Sequence, residues 1–85
     1  MKAPPPPRYS SPARDSFDPE ILATRLREVR EARGWSQKDL SQQTDLSPDN
    51  ISHFECGRRV PAPANLFALA AALLVSPSYL LGYHD

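Results

Sequence analysis

Residues 37–56 read QKDLSQQTDLSPDNISHFEC, and this stretch decides the fold. Ser36 stands before it with Asp39 three residues on, the spacing of a capping box in which Asp replaces the usual Glu. Ser47-Pro48 is a second helix start, an N-cap serine followed by proline at the first helical position. Only a few residues around Asp45-Leu46 separate the two helices. Two short helices joined by so tight a turn must cross at a steep angle, leaving the outer face of the second free. Gly57 closes that second helix.

Outward from this pair the punctuation stays helical. Asp18-Pro19-Glu20 combines an N-cap acid, a first-position proline and an acid in the first turn. Leu22, Leu26, Val29, Arg30 and Arg33 follow at helical spacing, and Gly34 stops the helix. Downstream, Pro61 and Pro63 bracket the start of a further helix whose apolar face is Leu66, Leu69, Ala70 and Leu73. Ser76-Pro77 starts a short last one. Little alternates with period two, so no sheet is expected. The reading is an all-α domain of five helices over residues 18–85. Residues 1–17 carry the run Pro4 to Pro7, then Arg8, Tyr9, Ser10, Ser11 and Pro12. They read as a disordered, Pro-rich arm that favours polyproline II and cannot build a core.

Two charges fall on apolar stripes. Arg30 lies on the core face of the first helix, eight residues after Leu22, and Glu55 lies beside Ile51 and Phe54. A charge on a core face is costly unless it is paired. The two are opposite in sign and sit on helices that should pack together, which predicts an Arg30–Glu55 ion pair, at least partly buried. The alternative is that each side chain reaches water separately.

The 85 residues suffice for one domain. Cys56 is the single cysteine, so no intramolecular disulfide forms, which fits a reducing cytoplasm. Residues 1–17 lack the apolar stretch of a signal peptide. The longest apolar run, Leu66 to Val75, is shorter than the roughly 20 residues that span a bilayer. A cytoplasmic location without membrane contact is therefore expected. His53 and His84 are the only histidines, and no metal-ligand spacing or glycine-rich phosphate loop occurs. No catalytic residue, metal or cofactor is expected, and an enzyme is disfavoured. Formal net charge is zero. The first 17 residues hold three basic residues against one acidic, and the remainder seven against nine. Any basic footprint is therefore local.

The ordered set of residues resembles the Cro/repressor-type helix-turn-helix (XRE) family. Leu26-Arg-Glu-Val-Arg-Glu-Ala-Arg-Gly-Trp-Ser-Gln37 is similar to the family's first helix and the start of its second. Leu40, Leu46, Ser47, Ile51, Phe54 and Glu55-Cys56-Gly57 match the motif itself, placed at residues 37–56. Leu69 to Ser76 and Tyr79 to Gly82 resemble the last two helices, so the likeness covers roughly residues 20–82. The sequence departs from the family's pattern at Asp45 and Leu74, where glycine is usual, and at Ser41, where alanine is usual. Aspartate tolerates the left-handed conformation better than most residues.

The resemblance implies a compact, lambda-repressor-like domain that binds double-stranded DNA and regulates transcription, most simply as a repressor. It places the third helix in the major groove with Pro48, Asp49, Asn50 and His53 toward base edges. Asn50 suits the N6 and N7 edge of adenine, Asp49 the N4 amine of cytosine, and Pro48 a thymine methyl. Asp49 and Asn50 equally suit local capping of their own helix. Phosphate contacts fall to Ser36, Gln37 and Lys38, where backbone N–H groups also attract an anion, and to Ser47, Arg58 and Arg59. In the family, Arg30 and Glu55 correspond to a structural salt bridge.

So few basic groups make a monomer a weak binder, and a homodimer would double the contacts. The apolar excess at the C-terminal end supplies a surface: Phe67, which leaves the stripe of its helix, with Pro77, Tyr79, Leu81 and Tyr83. Leu80 is expected in the core, with Tyr79 or Leu81 shared. The competing class is a protein-interaction module, such as an antitoxin or adaptor, with the DNA face degenerate. Zero net charge, Pro48 and Asp49 favour it; Arg58-Arg59 and the serine caps oppose it.

Overall fold

A computed structural model describes residues 18–83. The Pro-rich stretch 1–17 and His84 lie outside the described residues. Five helices follow in order: α1 Pro19–Ala32, α2 Gln37–Thr44, α3 Pro48–Glu55, α4 Pro63–Leu73 and α5 Pro77–Leu81. No strand occurs among the described residues.

The helix starts are set locally. Asp18 Oδ1 accepts from Glu20 N at 2.9 Å. Ser36 Oγ accepts from Asp39 N at 3.0 Å while Asp39 Oδ2 accepts from Ser36 N at 2.9 Å, so the capping box closes with Asp in the Glu position. Ser47 Oγ caps Asn50 N at 3.1 Å and Ser76 Oγ caps Tyr79 N at 3.0 Å. Only α4 starts without a side-chain cap, at Ala62, and there Pro63 removes one of the N–H groups that would need one.

The helix ends share a device. After α1, α3, α4 and α5 a residue at positive φ donates to the carbonyl three back, and the next donates to the carbonyl five back. Glycine holds that position after three of these helices, and Leu74, at φ 59°, holds it after α4. The expected glycine is therefore replaced without loss of the motif. Leu74 N donates to Ala71 O at 3.3 Å and Val75 N to Ala70 O at 3.0 Å. The left-handed conformation costs a side-chain-bearing residue about 1–2 kcal/mol. Leu74 is also 76% exposed, so burial within the chain does not offset that cost. Leu74→Gly should raise the unfolding free energy of the monomer by about 1 kcal/mol, after glycine's greater unfolded-state entropy is subtracted. A denaturant melt at low protein concentration reads it; an unchanged or lowered midpoint would show that no strain is stored there. Asp45 takes the left-handed turn position between α2 and α3 at φ 62°, as its side chain allows.

One core unites all five helices. Leu22 and Leu26 of α1, Leu40 of α2, Ile51 and Phe54 of α3, Leu69, Ala70 and Leu73 of α4 and Leu80 of α5 are all buried. Leu66 and Tyr79 are half-buried against that cluster. Leu80 thus completes the core, as expected. α1 packs on α3 and α5, α2 on α3 and α4, and α4 on α5. Arg33, the last residue of that helical spacing, sits exposed at the C-cap of α1. Its Nε donates to Leu73 O at 3.1 Å, and its guanidinium lies 5.5 Å from the Trp35 ring centroid. A cation there meets the negative end of α4, a site where charge is favoured over burial.

Candidate nucleic-acid interface

The buried ion pair sets the geometry of the helix pair. Arg30 Nε donates to Glu55 Oε2 at 2.7 Å and Arg30 Nη2 to Glu55 Oε1 at 2.9 Å, a two-point contact. Arg30 Nη1 donates to Trp35 O at 2.7 Å, in the connection before α2. Gln37, at the first turn of α2, donates from Nε2 to Glu55 Oε1 at 3.1 Å. The Glu55 carboxylate thereby ties α1 and α2 to α3, while the same guanidinium holds the α1–α2 connection, fixing the angle at which α3 is held. The hydrogen bond to Glu55 raises the Arg30 pKa above its ordinary value against an opposing effect of burial, so the guanidinium stays charged. Among the described residues no buried side-chain polar atom lacks a partner.

Ile51, Phe54 and Glu55 form the inner face of α3. Helical geometry puts Asp49 and His53, four residues apart, on the opposite face, with Asn50 on one flank. Pro48 and Asp49 are exposed, and Asn50 and His53 half-buried. Asn50 does not turn back to cap α3. Ser47 fills that role, and the Asn50 side chain meets Arg59 instead, whose Nη1 donates to Asn50 Oδ1 at 3.1 Å.

The residues expected at phosphates differ in freedom. Ser36, Lys38, Ser47, Arg58 and Arg59 are exposed. Both serine hydroxyls accept from backbone N–H groups, which leaves each O–H proton available to donate. Gln37 differs: its amide nitrogen is turned inward and donates to Glu55. Two features escape a linear reading, the Asn50–Arg59 bond and the Gln37–Glu55 bond, because Asn50, Arg59 and Gln37 need no partner to be stable in water and Glu55 is already matched by Arg30.

The match to known proteins is consistent with this geometry. A family profile described as helix-turn-helix matches residues 26–80. The chain belongs to the Cro/repressor-type helix-turn-helix (XRE) family. This helix-turn-helix chain is 34% identical over 61 residues to the HTH-type transcriptional regulator ImmR of Bacillus subtilis, covering 72% of the chain and 48% of ImmR. It spans less than half the length of the curated relatives it matches. The restriction-modification controller protein C.AhdI of Aeromonas hydrophila superposes with a TM-score of 0.71 at 35% identity, covering 74% of this chain and 96% of that one. The P22 c2 repressor, solved in complex with a synthetic operator, gives a TM-score of 0.70 at 34% identity, covering 72% and 92%.

At the other end of the helix-turn-helix domain the residues expected at a dimer contact divide. Phe67 is 63% exposed and Tyr83 40% exposed, while Pro77, Tyr79 and Leu81 are half-buried. Tyr79 is held within the chain: Arg25 Nη1 donates to its carbonyl at 2.7 Å and the guanidinium lies 4.5 Å from its ring centroid. Leu74, at the C-cap that follows α4, is more exposed than any of these. The usual glycine at that family position had marked it as a cap rather than as surface.

Proposed function

We propose that this domain is a sequence-specific, non-enzymatic DNA-binding regulator of transcription, a repressor in its simplest form, that reads the major groove with α3 as a cytoplasmic homodimer. One observation carries the reading: α3 is held by the buried Arg30–Glu55 pair, with Asp49 and His53 on its outer face, Ser47 capping its start and Arg58 and Arg59 folded back onto its end. The likeness to a repressor solved with its operator supports it. In this reading residues 18–85 are the DNA-binding unit and residues 1–17 an appended arm. Asp49, Asn50 and His53 face base edges, with Pro48 against a thymine methyl. Ser36, Lys38, Ser47, Arg58 and the Gln37 backbone N–H set the register on phosphates. Phe67 of α4 and Leu74 at its C-cap, with Tyr83 and the edges of Pro77 and Leu81, meet the second copy. Two copies then read half-sites about 34 Å apart.

Selection of bound duplexes from a random pool, followed by titration at two salt concentrations, tests this. A palindrome with half-sites one helical turn apart is the expected result. Arg58→Ala should weaken binding to all sequences alike and make the dependence of log affinity on log salt shallower by about 1 per subunit. An acid at the centre of the α3 face favours one other reading, a module that docks a protein partner. Recovery of no motif, with affinity indifferent to Arg58→Ala, would select it.

A further inference from the structure

The bond between Asn50 and Arg59 has a chemical direction. Arg58 N and Arg59 N both donate to His53 O, at 2.9 and 3.4 Å, after the left-handed turn at Gly57. That turn folds the chain back beside α3, so that Arg59 reaches Asn50 in the first turn of the helix. A guanidinium carries only donors. The atom of the Asn50 amide that faces it must therefore be the oxygen, and the amide NH2 is the group left to point elsewhere.

We propose that Asn50 and Arg59 act as one donor-presenting unit that selects guanine, rather than adenine, at the base pair under the first turn of α3. This rests on the reading of α3 as the groove-entering helix. A freely rotating asparagine offers an acceptor and a donor side by side, which match adenine N6–H and N7. Arg59 takes one of the two lone pairs of Oδ1 and holds that edge of the amide toward the guanidinium, so the groups the unit presents are mostly donors, Nδ2–H and the remaining guanidinium N–H groups. Guanine presents two acceptors there, N7 and O6, whereas adenine places its N6 hydrogens against these donors. Water keeps the pair inexpensive to break in the free protein. Once the groove excludes water, parting the two leaves a polar group unpaired, so the bond favours the bound arrangement. Arg59 is in this way a positioning residue for Asn50, as well as a donor, rather than a further phosphate contact.

The test uses the full chain. Duplexes are selected from a random pool with the wild-type protein and with Arg59→Ala, Asn50→Ala and Arg58→Ala, each checked for unchanged helical content. The recovered site is then titrated in versions carrying guanine or adenine at the position concerned. The wild type should prefer the guanine duplex by on the order of tenfold or more. Arg59→Ala should abolish that preference or turn it toward adenine, Asn50→Ala should reduce it, and Arg58→Ala should keep it. Enrichment of adenine by the wild type would overturn the proposal. So would equal losses on both duplexes with Arg59→Ala, or an undiminished guanine preference with Asn50→Ala. Failure of the wild type to enrich any motif would instead overturn the reading of α3 as a DNA-reading helix.

Discussion

Glu55→Ala should lower the unfolding free energy by about 3–5 kcal/mol, the cost of removing one partner from a buried pair. The Arg30 and Glu55 side chains are only 10% and 3% exposed, and their two-point contact at 2.7 and 2.9 Å excludes water from both ends. Alanine at 55 leaves a buried guanidinium with Trp35 O and, at 3.8 Å, Glu31 as its remaining partners. It also strands the Gln37 amide. The size of the loss reports the stranded charge rather than the worth of the pair. A variant with both partners apolar, Arg30→Met with Glu55→Leu, should therefore recover most of the stability. Denaturant melts of the three proteins decide the matter. A loss under about 1 kcal/mol for Glu55→Ala would mean that Arg30 finds water as easily as it finds the carboxylate. Alkali offers no escape from the pair. Arg30 has its pKa raised in the folded state, so its contribution is present below the unfolded value and lost only above the folded one, beyond the usual arginine range.

The same pair shows what can be read from a linear sequence. Arg30 and Glu55 are 25 residues apart, yet each lies on a stripe where charge is intolerable alone, so each demands the other. The helix starts were legible for a different reason. Asp18, Ser36, Ser47 and Ser76 act on N–H groups two or three residues away, and no tertiary structure is needed to place them. Arg33 with Leu73 O, Gln37 with Glu55 and Arg59 with Asn50 lie 40, 18 and 9 residues apart. Arg33, Gln37, Asn50 and Arg59 are compatible with water, and the need of Glu55 is already met by Arg30, so nothing in the chain announces these pairings before the helix angles are known. Leu74 was legible as a departure from a pattern but not as strain, because its φ follows from the backbone bonds that end α4.

The second large effect should appear in DNA affinity rather than in folding. Ala64, Phe67 and Ala71 are all exposed and recur along α4 at intervals of three and four residues, and Leu74, at the C-cap that follows, is exposed as well. That is the spacing of a seam between paired helices. Leu74 adds a strained backbone and a nearly bare leucine, two costs that a facing copy would help to offset. Phe67→Ser removes the largest side chain of this seam. Because Phe67 is 63% exposed, the monomer should keep its stability to within about 0.5 kcal/mol. Sedimentation should show the dimer dissociating at concentrations where the wild type remains paired. Affinity for a palindromic duplex should fall by about a hundredfold or more, since the second half-site is no longer reached at the high effective concentration a dimer supplies. Affinity for a single half-site should stay as it was, because α3 is untouched. An unchanged dimer would take Phe67 out of the interface. A dimer lost without any fall in palindrome affinity would show that the copies bind DNA independently, which places the whole reading energy on α3 and the arginines beside it.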